Sequence, residues 1–180
     1  MERRVIVRGQ PRAPRAAAGA LRPSSRVDLD DPFLALMAAW FEPATPPARW
    51  AVVAGDGAEA ETALDAARVA HELLVVRTGS PDADALLADL SPVLGRLLDD
   101  MTPRQRRLAV LILVDGRRQA DAAEILGISR ASVSVAHGRA RIHEVGLLLR
   151  AVRACWTAGR ALASTDTGVE PLTDGATVPR

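Results

Sequence analysis

This chain is short of lysine, tyrosine and cysteine. Its 180 residues include no lysine, no tyrosine and one cysteine, so all 23 basic residues are arginine. The single cysteine, Cys155, excludes an internal disulfide and a zinc site built from a cysteine cluster. Aromatic residues make up only 3% of the chain, which is too few for the stacking platforms that bind single-stranded nucleic acid.

Long apolar runs are also missing. No segment of the sequence is long and apolar enough to span a bilayer. The arginine-rich N-terminus is not followed by the apolar stretch that a secretory signal requires. We therefore expect a cytoplasmic protein without membrane contact.

The residues that would build an active site are scattered. His71, His137 and His143 are too far apart to form a metal site, and Gly55–Gly57 lacks the remaining positions of a phosphate-binding loop. No serine, histidine and aspartate occur at a spacing that supports nucleophilic catalysis. We expect no enzymatic activity, no bound metal and no cofactor.

The net charge of +1 hides a strong segregation of charge along the chain. Residues 1–27 hold seven arginines and one glutamate, whereas residues 28–100 hold four arginines and fourteen acids. Residues 101–160 hold eleven arginines and four acids. A basic C-terminal half is expected of a surface that binds the phosphates of DNA, and the acidic middle is best read as a solvated surface.

Composition and periodicity divide the chain into four parts. We expect residues 1–30 to form a flexible arm rich in arginine and residues 31–100 to form a small α+β segment. Residues 101–163 are predicted to form a helical module, and residues 164–180 a disordered tail. The fold class is therefore mainly α, with a small α+β middle segment and a C-terminal helix-turn-helix module.

The middle segment combines strand and helix patterns. A short helix is predicted from Asp31, strands at Trp50–Ala54 and Leu73–Val76, and a helix from Ala58 to Ala70 between them. Two strands alone are only marginally stable. We expect the pair to gain a third strand, to pack on the helical module or to dimerise. Separately, Val5–Val7 in the N-terminal part is predicted to form a short strand.

Residues 119–136 have the steric pattern of a helix-turn-helix. Ala122 and Ala123 are small enough for two helices to cross closely. Gly127 suits the left-handed residue that ends the first helix. Ile128 is expected to plug the turn, and Ser129 to cap the next helix. The inner face of that second helix is predicted at Val133 and Ala136.

A further helix precedes this motif. Thr102 is a typical N-cap and Pro103 a typical first helical residue. Apolar residues then recur at helical spacing, and Asp115–Gly116 ends the helix in a short turn. The predicted order is helix, turn, helix, tight turn and recognition helix.

Thr102–Arg106, the helix that follows and Gln119–Val133 together resemble region 4, the C-terminal DNA-binding module of sigma factors. They are also similar to the modules of LuxR-type bacterial regulators. SatD-family proteins carry a similar C-terminal module, and residues 76–107 resemble the stretch that precedes it there. The likeness covers about residues 100–145, and no segment resembles the sigma region that binds the −10 element and core polymerase. It implies a DNA-binding fold rather than a particular biological role.

The recognition helix is predicted from Arg130 to at least His137. Arg130 is the strongest candidate for a base contact, bidentate to a guanine, and Ser134 can contact a base edge or a phosphate. Small apolar side chains of this helix can touch a thymine methyl group, and residues at helix starts or beside the motif can hold phosphates. The candidate DNA-binding residues are Arg117, Arg118, Gln119, Ser129, Arg130, Ala131, Ser134, Val135, Arg139 and Arg141.

The C-terminal helix carries an apolar seam at spacings of three and four residues. Its members are Ile142, Val145, Leu149, Val152 and Trp156. The seam can pack on the chain's own middle segment or on the same helix of a second copy. We favour a homodimer through the 142–156 helix, because many helix-turn-helix regulators read two half-sites.

The leading hypothesis is a sequence-specific regulator of transcription that binds double-stranded DNA. The alternative is a protein-interaction module that docks on RNA polymerase or another regulator. An enzyme whose site forms only in a dimer is a third possibility, which no set of residues supports.

Overall fold

A computed structural model describes residues 5–10, 31–40 and 49–166. The elements of this part follow one another in the order β1 (Val5–Gln10), α1 (Pro32–Trp40), β2 (Arg49–Ala54), α2 (Gly57–Val69), β3 (Leu74–Arg77), α3 (Pro81–Asp99), α4 (Pro103–Ala109), α5 (Gln119–Leu126), α6 (Arg130–Arg139) and α7 (Ile142–Asp166). A π-helical segment, Val110–Val114, continues α4. The protein is thus mainly helical with a small α+β middle segment, as predicted.

The sheet has β2 at its centre. Strand β3 pairs with β2 in parallel, and β1 pairs with it antiparallel, with Val5 opposite Ala54 and Gln10 opposite Arg49. The third strand that the middle segment needs therefore comes from the chain's own N-terminal part. Val5–Gln10 falls within the predicted arm but is paired along its whole length, whereas residues 11–30 lie outside the described residues.

Strand β2 is buried on both faces. Ala51 and Val53 pack with Ala60 and Leu64 of α2 on one face of the sheet. Trp50, on the other face, belongs to the large core that the remaining helices share. Helix α2 therefore covers one side of the sheet, and α1, α3 and α7 lie on the other.

Local hydrogen bonds set the starts of the helices that flank the sheet. Asp56 caps α2 by accepting from the amides of Ala58 and Glu59, both at 2.9 Å. Helix α3 begins with Pro81 in its first turn, and the Ser80 side chain at its N-cap makes no capping bond. Asp84 instead binds the preceding loop, accepting from the amide and hydroxyl of Thr78 at 2.7 and 2.8 Å.

The apolar seam of α7 is buried inside the chain. Ile142, Val145, Leu149, Val152 and Trp156 are all at most 4% exposed and belong to the core shared with α1 and α3. The Trp156 ring meets Phe33 of α1 edge-on at 5.8 Å. Of the two predicted packing modes, the structure has the intramolecular one. A homodimer through this seam was the wrong choice of interface, because the chain's own middle segment covers the seam.

The end of α7 also differs from prediction. The helix runs to Asp166, past residue 163, where the helical module was predicted to end. The rest of the predicted tail, residues 167–180, lies outside the described part of the chain.

Candidate nucleic-acid interface

Three short helices, α4 to α6, build the candidate DNA-binding surface. Thr102 caps α4, accepting from the amide of Gln105 at 3.4 Å, while the Gln105 side chain accepts from the amide of Thr102 at 2.8 Å. Pro103 occupies the first turn. The predicted start of this helix is confirmed, and the reciprocal cap fixes its direction relative to the core.

The turn between α5 and α6 has the predicted geometry. Gly127 is left-handed, with φ +64° and ψ 35°. The amide of Ile128 donates to the carbonyl oxygen of Ala123 at 3.0 Å, which closes the end of α5. Ser129 then caps α6, since its hydroxyl accepts from the amide of Ser132 at 3.1 Å. Both the left-handed glycine and the serine cap are confirmed.

Small and branched side chains lock the helices together. Ala122, Ala123 and Val133 are buried, as predicted, and they share a core with Leu108 of α4 and Ala140 at the end of α6. Close approach of α5 and α6 depends on the two alanines, whose methyl groups take up little space between the backbones. The orientation of α6 is therefore set by packing as well as by its cap.

Ile128 does not plug the turn. It is 43% exposed, and Leu126, which is half-buried, packs against the core instead. The left-handed Gly127 reverses the chain between these two residues, so the side chain before it points inward and the one after it points outward. The prediction for Ile128 was wrong for this reason.

The helix that begins with α4 ends at Asp115–Gly116 as predicted, but the π-helical form of its last turn was not predicted. Val110–Val114 is π-helical, and the amide of Asp115 donates to the carbonyl oxygen of Val110 at 3.0 Å. The amide of Arg117 reaches back to the carbonyl oxygen of Leu111 at 2.8 Å, beyond a left-handed Gly116. The second bond holds the backbone of Arg117 against the end of the π-helical segment.

All ten predicted DNA-binding residues are exposed. On α6 they are Arg130, Ala131, Ser134, Val135 and Arg139, and Ser129 caps the same helix. A second group, Arg117, Arg118 and Gln119, lies in the turn before α5 and at its first residue. Helical spacing puts Ala131, Ser134 and Val135 on the side of α6 away from buried Val133, with Arg130 at the edge of that side.

Arg141, between α6 and α7, has an unusual backbone conformation. It is one of the two described non-glycine residues with positive φ, at 51°. Its amide donates to the carbonyl oxygen of Gly138 at 3.1 Å, and its own carbonyl oxygen accepts from the amide of Val145 at 2.9 Å. The exposed guanidinium of Arg141 is therefore carried by a backbone bonded on both sides.

Two further exposed arginines on α4, Arg104 and Arg107, were not among the predicted contacts. The Thr102 cap was the signal that could have placed them on the outer side of a helix that packs against α6. Arg106, between them, has a structural role instead. Its guanidinium donates to the carbonyl oxygens of Met101 and Asp99 at 2.9 and 3.2 Å.

Comparison with known protein families finds a match that covers the three helices described above. Residues 93–143, less than a third of the chain, match the family model described as Sigma-70, region 4. No curated protein and no solved structure matches the chain. The C-terminal half thus contains a helix-turn-helix of the sigma region 4 kind, a DNA-binding module associated with transcription. In the described residues, no helix is long and apolar enough to cross a membrane.

Proposed function

We propose that this protein is a sequence-specific regulator of transcription that places α6 in the major groove of double-stranded DNA. The observation that carries the proposal is the exposed face of α6, held by a serine cap and a left-handed glycine and flanked by arginines. The match to sigma region 4 supports the same surface. A cytoplasmic location follows from this role, because the DNA is there.

Specific readout is assigned to α6. Arg130, near the N-terminal end of the helix, donates to the N7 and O6 atoms of a guanine, the commonest specific contact in the major groove. Ser134 is four residues further along the same side and reaches a neighbouring base edge or phosphate. Ala131 and Val135 offer only methyl groups, which suit the C5-methyl of thymine.

Phosphate contacts are assigned to the residues around α6. Arg117, Arg118 and Gln119 precede or begin α5, and Ser129 begins α6, so amide groups and side chains converge there on the DNA backbone. Arg139 and Arg141 extend this basic surface at the other end of α6. One arginine per half-site gives little discrimination, so we expect DNA shape to contribute to specificity.

Selection of bound fragments from the source genome by the purified full chain, at near-physiological salt, tests the proposal. An enriched motif is the expected result, and an inverted repeat in it would show that two copies bind. Retained binding without enrichment would contradict sequence specificity and indicate an architectural role. Complete loss of binding would contradict the DNA-binding proposal itself.

We further propose that the regulator acts as a homodimer. Helix-turn-helix proteins commonly read two half-sites about one DNA turn apart. Because the α7 seam is buried in each chain, the two copies must meet through a different surface.

A second candidate function, docking on RNA polymerase, is favoured by one observation. Ile125 and Ile128 are 48% and 43% exposed at the end of α5 and in the turn after it. Exposed apolar pairs suit protein contacts better than phosphate. Binding of polymerase that resists salt and is lost in an Ile125→Glu, Ile128→Glu variant would favour this function, whereas unchanged binding by that variant would exclude this surface.

A further inference from the structure

Helix α3 carries a second apolar stripe that the described part of the chain covers only in part. Leu86 and Val93 are 58% and 45% exposed, and Leu90 and Leu97 are half-buried. These four residues are spaced by four, three and four positions, the spacing of a coiled-coil seam. The core-facing side of the helix is formed by other residues, among them Leu87, Leu94 and Leu98. Leu90 and Leu97 lie at the edge of the core, whereas Leu86 and Val93 stay exposed in the described fold.

Opposite charges lie along one edge of this stripe. Asp89 directly precedes Leu90, and Arg96 directly precedes Leu97, so they share one flank of the seam and are seven residues apart. Both side chains are exposed. In a heptad frame with Leu90 and Leu97 at position a, these two residues occupy position g, where charges select the partner and orientation.

We infer that a second copy of this chain packs on the stripe, with the two α3 helices antiparallel about a two-fold axis. When Leu90 of one copy lies opposite Val93 of the other, the axis passes between residues 91 and 92. Asp89 is then offset from Arg96 of the second copy by two residues of rise, about 3 Å along the helix. The same pair forms again on the other side of the axis.

This arrangement identifies the occupant as a second copy of the chain. An isologous interface requires a patch that is complementary to itself. The α3 stripe meets that condition because the two-fold axis brings the acid of each copy to within about 3 Å along the helix of the base of the other copy. In a parallel pair each residue at position g faces position e of the other helix, so Asp89 and Arg96 would not meet. The inference deepens the homodimer of the proposed function by naming its surface.

The seam is short, so the dimer is expected to be weak. From Leu86 to Leu97 it covers eleven residues of rise, about 16 Å. Association in the absence of DNA should therefore depend on concentration over the experimental range. Adjacent half-sites on DNA would strengthen it by raising the effective concentration of the two copies.

Sedimentation equilibrium of the full chain without DNA tests the interface. We expect a monomer–dimer equilibrium in which Val93→Glu raises the dissociation constant by about tenfold or more, a change of about 1.4 kcal/mol. Val69→Glu is the matched control, because Val69 is 73% exposed and its helix, α2, covers the opposite face of the sheet. A monomer at every concentration, or equal effects of the two substitutions, would overturn the inference.

Charge reversal tests the antiparallel register without touching apolar residues. Arg96→Asp should weaken the dimer because two carboxylates would meet on each side of the axis. Adding Asp89→Arg to Arg96→Asp exchanges the charges and should restore the dissociation constant of the parent. Failure of the double variant to recover would exclude this register. Both sites are exposed, so a circular dichroism spectrum like the parent's is expected.

DNA binding is measured separately, on a fragment that carries a single half-site. A parent chain that stays monomeric but still binds the half-site would overturn the α3 interface and leave the DNA-binding proposal standing. A chain that dimerises but binds no DNA would overturn the DNA-binding proposal and leave the α3 interface standing.

Discussion

At the scale of single residues, Arg130 separates sequence-specific binding from general attraction to DNA. We expect Arg130→Ala to cost about 1–3 kcal/mol on the preferred site and to relax specificity at one base position. Fluorescence anisotropy with a set of single-base-pair variants measures both effects. Arg68→Ala, at an exposed position of α2, is the control for loss of one positive charge. If Arg130→Ala discriminates among sequences as the parent does, the assignment of α6 as the recognition helix is wrong.

Arg117 is expected to act through charge alone. Its backbone is tied to Leu111 and its side chain is exposed beside α5, a position suited to a phosphate contact. Arg117→Ala should weaken binding to all sequences alike and reduce the slope of log affinity against log salt by about one. A titration from low to near-physiological salt checks this. A change of base preference without a change of slope would contradict the phosphate role.

Glycine is needed at position 127 because of the backbone conformation there and not because of its small size. A Cβ built there meets nothing within 4 Å, yet φ is +64°. Gly127→Ala should therefore destabilise the protein by about 1–2 kcal/mol through backbone strain alone. Gly127→Asn should cost less, because asparagine tolerates the left-handed region. Chemical denaturation of the three proteins tests this ordering, and equal stability of the alanine variant and the parent would contradict it.

At the scale of elements, the crossing of α7 over α3 depends on Gly159. A Cβ built at Gly159 would lie 2.5 Å from the Cβ of Ala83 and 2.6 Å from the Oγ1 of Thr78. The helices must separate to admit it. We expect Gly159→Ala to reduce the free energy of unfolding by about 1–3 kcal/mol, the usual range for overpacking.

The control for this substitution is Gly138→Ala on α6. A Cβ at Gly138 has no neighbour within 4 Å, so alanine there should raise stability by about 0.5–1 kcal/mol through helix propensity. Opposite signs for the two glycines in denaturant unfolding would establish that the α3–α7 contact, rather than helix propensity, sets the requirement at Gly159.

At the scale of the whole molecule, the helix-turn-helix and the middle segment share one hydrophobic core. Trp156 of α7, Phe33 of α1 and Val133 of α6 belong to the same buried cluster. An ion pair between Arg153 of α7 and Asp31 before α1 joins the same two regions. We therefore expect the described regions to unfold together rather than as independent units.

Trp156→Ala is the sharpest test of this coupling. Removing the buried ring should cost about 3–5 kcal/mol, and circular dichroism and DNA binding should be lost at the same denaturant concentration. Trp156→Phe, which keeps most of the apolar area, should cost less. Two separate transitions in either protein would show that the regions are not coupled through this core.

The sequence by itself determined the helix-turn-helix. Its requirements are local: a small residue where helices cross, a left-handed residue at Gly127 and a hydroxyl at Ser129, all within a few positions of one another. The start of α4 at Thr102 was predictable from the sequence for the same reason.

Only the tertiary structure decided what covers the α7 seam, which strand completes the sheet and whether Ile128 faces in or out. An apolar seam indicates that the helix packs against another surface, but it does not indicate which surface. The strand that completes the sheet, β1, lies 39 to 49 residues before its partners in β2, and the direction of Ile128 depends on how the chain leaves Gly127. Such choices depend on the competition among all apolar surfaces for burial, which no local pattern encodes.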